Sequence, residues 1–312
     1  MTINLMPPFE KKYIMLFGGA LFFITTLVGV ALFRGGSPSS APLKTANAPL
    51  LASLPQPRTP PPVLNGAAYI VRFAGDGRPL AGKQIHTSLP PASLTKLMTA
   101  ILTREALRPN DAIAFSADDK RVPEKTTVVP AGEAFGRDDM LRFALISSAN
   151  DAAMAAAAAV GRKLGAHIFT DALSLFANRM NEKATEIGLQ NSHFENPTGL
   201  DEDRHAMSAA DLARVAEYIW QNHPSLFEIS RTPETAAYSL AGKRYLIQNT
   251  DELLAEFPAI LGSKTGMTDR AKGTLVLLYP VRPDRTAIIV ILGSDDRFGD
   301  GRKLLHWLDE AF

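Results

Sequence analysis

Residues 261–292 read LGSKTGMTDRAKGTLVLLYPVRPDRTAIIVIL, and the second half of that stretch sets the fold class. Thr274 to Tyr279 and Thr286 to Leu292 are rich in β-branched and aliphatic residues, and a Pro/Asp turn at 280–284 joins them, which is the pattern of neighbouring strands. Just ahead lies Lys264-Thr265-Gly266, where a strand fits and a helix does not. A lysine, a hydroxyl and a residue without a side chain in succession suit a strand edge that a substrate backbone approaches closely; by themselves they also suit a polar turn. Working outward, Arg302 to Phe312 reads as a closing helix. Upstream, Ser208 to Trp220 and Ser174 to Ile187 are amphipathic. Residues 137–164 form one or two helices, with Asp138 and Asp139 in a first turn and the alanine-rich DAAMAAAAAVG from Asp151. Ser93 to Leu107 has helical spacing behind a capping residue, and Ala68 to Phe73 (AYIVRF) reads as a first strand. An early strand, a helical middle, late strands and a closing helix make an α+β domain, with a sheet core covered by helices on both sides.

The chain has 312 residues, 33 Lys+Arg against 32 Asp+Glu, and no cysteine. A net charge of +1 gives no basic excess for nucleic acid. The lack of cysteine excludes disulfides, thiolate metal sites, iron–sulfur clusters and a cysteine nucleophile. The six histidines (86, 167, 193, 205, 223, 306) include no i, i+4 pair and no His-Glu-x-x-His, so no metalloprotease site is expected. Tyr13 to Phe33 (YIMLFGGALFFITTLVGVALF) carries no charge. As a helix it spans roughly 30 Å, the thickness of a bilayer core, and it is longer than a cleaved signal's apolar region. Lys11 and Lys12 precede it, which places residues 1–12 in the cytoplasm by the positive-inside rule, although Arg34 and Lys44 follow. Residues 34–64, with prolines at 38, 42, 49, 55, 57, 60, 61 and 62, read as an extended linker reaching roughly 90 Å. The expected plan is a single-pass anchor at 13–33, a linker at 34–64 and a catalytic domain at 65–312 outside the cytoplasmic membrane.

Two further short motifs accompany Lys264-Thr265-Gly266. In Ser93-Leu-Thr-Lys96, residues three apart share a helix face, so the amine reaches the hydroxyl. A lysine serves as base only if burial or neighbouring positive charge lowers its pKa. The plain alternative is an N-cap serine followed by a surface lysine. Ser148-Ala-Asn150 lies between two helical stretches, either capping the alanine helix or presenting a hydroxyl and an amide to a cleft.

In this order the three motifs resemble those of penicillin-binding proteins and serine β-lactamases. The wider stretches LPPASLTKLMTA, RVPEKTTVVPAGE, LISSANDAA, HFENPTGLDEDRHAMSAADLA, LGSKTGMTDRA and LGSDDRF resemble low-molecular-weight D-alanyl-D-alanine carboxypeptidases, the S11 peptidases, across residues 66–312. The resemblance implies a serine β-lactamase/D,D-peptidase-like fold: an antiparallel sheet flanked by helices, plus a helical subdomain. It implies Ser93 as the acylated nucleophile, Lys96 as its base and Ser148 as proton relay to the leaving amine. Asn150 would hold the substrate amide, and Lys264 would keep positive charge in the cleft and depress the Lys96 pKa. Thr265 and Arg297 would bind the terminal carboxylate. Gly266 would let the substrate approach, and the N–H groups of Ser93 and Met267 would hold the oxyanion, each donor worth about 3–4 kcal/mol. Implied partners are peptidoglycan stem peptides and β-lactam antibiotics, with no metal or organic cofactor.

Removal of the terminal D-alanine through an acyl-enzyme is the leading expectation, and cleavage of 4→3 cross-links by the same groups is the alternative. A β-lactamase is disfavoured because no Glu-x-x-x-Asn spacing occurs between Asn150 and Lys264. A non-catalytic penicillin-binding scaffold would have no need of Lys96. His205 and the turn Phe194–Leu200, with Asn196-Pro197 and Gly199, are expected to be structural. The family's usual His-x-Ser-Thr-Ala is here His205-Ala-Met207-Ser208-Ala209, and its Ala-Gly is here Ala271-Lys272-Gly273. Both changes are expected to touch only the cleft wall. Many relatives carry a further β-rich domain and a C-terminal amphipathic anchor; with the sequence closing at Phe312, the expectation is that the anchoring role lies at the N-terminus.

Overall fold

In the computed structural model, which describes residues 56–312, the chain begins with β1 (Ala68–Phe73) and β2 (Pro79–Lys83). A 3-10 turn at Ala92–Thr95 runs into α1 (Lys96–Ala106), followed by β3 (Ala112–Ala114), β4 (Ala134–Gly136), α2 (Arg137–Leu145) and α3 (Asn150–Lys163). Next come α4 (Phe169–Ile187), α5 (Ala209–Asn222), α6 (Ser225–Ser230), β5 (Glu234–Tyr238), β6 (Arg244–Gln248) and α7 (Leu253–Glu256). Three long strands, β7 (Gly262–Thr268), β8 (Lys272–Arg282) and β9 (Arg285–Ser294), lead to α8 (Arg297–Ala311).

The main sheet is antiparallel with order β2-β1-β9-β8-β7, which leaves β7 on an edge. Its central strands explain their own sequence. Val276, Leu278, Ile288, Val290 and Leu292 face a core built with α1, α2, α3 and α5. The alternate residues Leu275, Leu277, Ile289 and Ile291 face α8 through Leu304, Leu305 and Leu308. A strand covered on both faces has no solvent side on which to place polar residues, so it reads as an unbroken apolar run. Helices on both faces of the sheet were expected, and so they lie.

The two-helix option holds for 137–164, with the break at Ile146–Ala149. Other boundaries differ from the sequence reading. The expected cap on the first helix is not made: neither Pro91 nor Thr95 accepts a side-chain capping bond, and Ser93 turns its hydroxyl to Lys96. Helix α4 starts five residues before Ser174, and no capping side chain marks its start. Helix α8 also starts five residues before the expected Arg302, capped by Asp296, whose carboxylate accepts the Gly299 N–H at 2.8 Å. Gly299 and Gly301 in its first turns weaken the helical signal. The antiparallel pairs β3–β4 and β5–β6 were not anticipated; strands of three and five residues leave little periodicity to read.

The expected linker ends earlier than residue 64. Arg58 donates its N–H to the Ala311 carbonyl, the Trp307 indole donates to the Thr59 carbonyl, and Leu64 is buried in the α8 core. The apolar run Tyr13–Phe33 and the linker up to residue 55 lie outside the described residues.

Candidate active site

Ser93 sits in the 3-10 turn ahead of α1, and Lys96 is the first residue of that helix. The turn is clamped from two sides. The Thr274 hydroxyl on β8 donates to the Pro91 carbonyl, and the turn at Phe194–Leu200 packs against Ala92 so tightly that a Cβ on Gly199 would lie 1.8 Å from the Ala92 carbonyl oxygen. Ala92 itself holds a positive φ of 50°, a conformation that L-residues avoid unless surrounding contacts impose it.

Lys96 is fully buried. Its Nζ lies 2.8 Å from Ser93 Oγ, 2.7 Å from Asn150 Oδ1 and 2.8 Å from the Thr198 carbonyl oxygen. The amide orientation of Asn150 follows from its other end, where Nδ2 donates to the Pro123 carbonyl. Oδ1 and the Thr198 carbonyl can only accept. A neutral Lys96 amine spends its two N–H bonds on them and leaves its lone pair for the Ser93 hydroxyl proton. Burial, then the nearby Lys264 and Lys125 ammonium groups, push the Lys96 pKa well below the ordinary lysine value, which favours that neutral form. The surface-lysine alternative is therefore set aside.

Ser148 does not cap α3; Ala149 occupies the cap position and makes no side-chain bond there. Ser148 is held at φ 60° in the junction between α2 and α3, and its Oγ accepts from Lys264 Nζ at 2.9 Å. Lys264 is buried on β7 and also donates to the Thr265 carbonyl. Burial and Lys125 lower its pKa, while Asp251 opposes them. Asp251, itself buried, accepts from the Ser263 hydroxyl and the Leu253 N–H. Thr265 shares a 2.6 Å hydroxyl contact with Thr250.

The glycine of Lys264-Thr265-Gly266 has a steric reason: a Cβ there would meet the Thr274 hydroxyl at 2.3 Å and the Ser93 nitrogen at 2.9 Å. Strand β7 thus runs against the backbone of Ser93. On β7, Ser263 turns its N–H away from β8 onto Ser230 Oγ. The β7–β8 register is unbroken from Gly262 to Thr268, so the two-residue alternation turns the Met267 N–H the same way, to the unpaired edge. Arg297 Nη1 reaches the Met267 sulfur at 3.4 Å, and among the described residues the guanidinium has no carboxylate partner.

Contacts bring the nine candidate residues together where the α2–α3 junction, the start of α1, β7 and the start of α8 meet. Sequence reasoning missed four contributors. The Thr198 carbonyl gives Lys96 its third partner. Asp151 fixes the loop between β3 and β4 by accepting from Thr127 N–H and Oγ1 and from Lys120. The Thr250–Asp251 pair backs β7, and Lys125 adds a further cation. His205 is structural as expected: its Nδ1 accepts the Glu195 N–H, its Nε2 meets the Thr95 hydroxyl at 2.8 Å, and burial pushes its pKa down to about 4.

Comparison with known proteins supplies the context. The profile of the family described as D-alanyl-D-alanine carboxypeptidase, Peptidase_S11, matches residues 56–296. The D-alanyl-D-alanine carboxypeptidase DacF of Bacillus subtilis is 31% identical over 241 residues, 76% of this chain and 59% of its own length. This chain thus spans about three fifths of that relative. The D-alanyl-D-alanine endopeptidase of Pseudomonas aeruginosa is 30% identical over 290 residues, 90% of this chain and 87% of its own. The crystal structure of a D-alanyl-D-alanine carboxypeptidase from Mycobacterium tuberculosis matches 81% of this chain and 94% of its own at a TM-score of 0.69 and 27% identity. The Streptomyces K15 DD-transpeptidase shares the fold, with a TM-score of 0.73 over 80% of this chain and 99% of its own at 23% identity.

Proposed function

The chain belongs to the D-alanyl-D-alanine carboxypeptidase family, peptidase S11, and from that premise we propose that it is a serine D,D-carboxypeptidase trimming the terminal D-alanine of peptidoglycan stem peptides. The observation that carries the reading is the Lys96 amine, boxed by two oxygens that only accept and facing Ser93 Oγ at 2.8 Å. Lys96 takes the Ser93 proton as Oγ attacks the D-Ala–D-Ala carbonyl. The oxyanion forms between the N–H groups of Ser93 and Met267. Ser148, bonded to the Lys264 ammonium, hands a proton to the leaving amine. Arg297 and Thr265 hold the terminal carboxylate, Asn150 lines the substrate amide, and the free edge of β7 receives the substrate backbone as an added strand. Water then hydrolyses the ester. A β-lactam, presenting an amide and a carboxylate to the same groups, acylates Ser93.

The apolar run Tyr13–Phe33 supports a single-pass anchor in the bacterial cytoplasmic membrane, with the catalytic domain on its outer, periplasmic face. The test of the activity uses the full chain. Penicillin is expected to add its mass to the peptide containing Ser93 and to leave Ser93→Ala unmodified, and D-alanine release from a pentapeptide is expected to show the same dependence. Folded protein with no adduct on Ser93 would overturn the assignment.

A further inference from the structure

Met267 brings two groups to the site. Its N–H lies on the unpaired edge of β7, and its side chain is 55% exposed. The sulfur stands 3.4 Å from Arg297 Nη1 and, among the described residues, is the one hydrogen-bond acceptor that this guanidinium has. A thioether is a weak acceptor. Arg297 Nε, moreover, is buried with no partner among these residues. The arginine is nevertheless held in place. Met267 pairs with Gly273 across β7 and β8, and the bare glycine leaves room for the Arg297 stem. A Cβ there would lie 3.0 Å from Arg297 Cβ and 3.2 Å from Cδ. The guanidinium then covers the Phe298 ring, 4.3 Å from its centroid. Arg297 is thus fixed beside the sulfur with donors to spare.

The chain contains no cysteine, so its thioethers are the side chains next in line for a peroxide. The oxidant must still reach the sulfur. Met98, Met140, Met180 and Met207 are buried in the core, and Met154 is partly buried. Among the described methionines Met267 alone is exposed.

We propose that Met267 is an oxidation site, and that its sulfoxide switches off carboxylate recognition by claiming the Arg297 guanidinium. The inference rests on the readings of Arg297 as the ligand of the substrate carboxylate and of Ser93 as the nucleophile. The oxidant is hydrogen peroxide. The Sδ lone pair attacks one peroxide oxygen, and the S–O bond forms as the O–O bond breaks. The displaced hydroxide takes the proton left on the new oxygen and departs as water, so sulfur loses two electrons and the peroxide gains them. The sulfoxide oxygen is a far stronger acceptor than the thioether, and its bond from a guanidinium is charge-assisted. A substrate carboxylate must then displace it. The Met267 N–H stays on its edge, so the oxyanion keeps its donor while the carboxylate loses its partner.

The experiment treats the full chain and Met267→Leu with hydrogen peroxide and compares each protein with its own untreated sample. The probes are benzylpenicillin and its methyl ester, which has the same reactive ring without the carboxylate. Peptide mass spectrometry is expected to find one added oxygen on Met267 before any on the buried methionines. The ratio of Ser93 acylation rates, penicillin over ester, is expected to fall about tenfold in the oxidised wild type. It is expected to hold steady in Met267→Leu and to recover when methionine sulfoxide reductases for both epimers are added with a thiol reductant. Met267 left intact while buried methionines oxidise, an oxidised Met267 with the ratio unchanged, or the same fall in Met267→Leu overturns the switch and leaves the carboxypeptidase standing. Untreated, folded wild type with no adduct on Ser93 overturns the nucleophile assignment, and the switch with it.

Discussion

Lys96 on α1 and Lys264 on β7 are both fully buried in one cleft, both lack a carboxylate in contact, and both have pKa values well below the ordinary lysine value. Their surroundings nevertheless assign them opposite work. Lys96 meets two acceptor-only oxygens and the nucleophile, and the carboxylate nearest in effect, Asp151, is already committed to Lys120 and the 127 backbone. Asp151 and the surrounding acceptors favour the charged form, but burial with Lys264 and Lys125 outweighs them. Lys264 faces a hydroxyl that must donate onward, and Asp251 lies behind β7 as a counter-charge. Burial sets the direction of both shifts; the partners decide which amine acts as a base and which remains a cation.

Removing the base is the hardest blow to this distinction. Lys96→Ala is expected to slow penicillin acylation by about 10³-fold, within the range that a positioned general base supplies. Circular dichroism would confirm that the fold survives. Acylation within about tenfold of wild type would mean that the proton goes elsewhere.

The next effect tests the wall that serves Lys96. The turn carrying Thr198 is held by neutral His205, whose Nδ1 accepts the Glu195 N–H. Its pKa of about 4, set by burial, lies below the ordinary histidine value. As pH falls the unfolded chain takes up this proton near 6.5 while the folded chain resists until about 4, so the unfolded state binds more protons across that window. The stabilisation is complete above about pH 6.5 and is lost on descending to about 4, amounting to about 3 kcal/mol. Urea unfolding at pH 7.5, 6 and 5 is expected to show this decline in wild type and a flatter profile in His205→Asn, which keeps an acceptor without a titratable ring. Parallel profiles would contradict the role given to His205.

These two lysines also mark where sequence stops informing. The central strands were legible because two-sided burial leaves an apolar run in the sequence itself, and the three motifs were legible because their residues are contiguous or three apart. What gives Lys96 its environment is not contiguous: the Thr198 carbonyl arrives from about a hundred residues downstream, and a backbone oxygen has no residue type to read. Asp251 follows an unremarkable Asn-Thr and is tied to β7 by its bond to Ser263 across the α7 turn. Lys125 sat inside a stretch quoted for its resemblance, but its nearness to Lys264 depends on Asp151 folding that loop back. The cap expected at the start of the first helix is not made because the Lys96 amine competes for the Ser93 hydroxyl.

The smallest expected effect sharpens the comparison from the Lys264 side. Asp251→Asn keeps an oxygen for the Leu253 N–H and turns an amide N–H toward the Ser263 hydroxyl, which can accept it, so the fold loses little and kcat/KM at neutral pH is expected to fall by less than about tenfold. The charge is what changes. Asp251 raises the Lys264 pKa against burial and Lys125, and without it Lys264 gives up its proton at lower pH. The alkaline limb of acylation, where Lys264 ceases to be a cation, therefore moves downward. On the acid limb Lys264 still carries its proton, so the repulsion it exerts on Lys96 is unchanged there and that limb stays in place. The pH optimum narrows from its alkaline side. Had Asp251 served only to pack β7, the alkaline limb too would stay in place while the whole profile dropped; penicillin acylation rates measured from pH 5 to 10 separate the two cases.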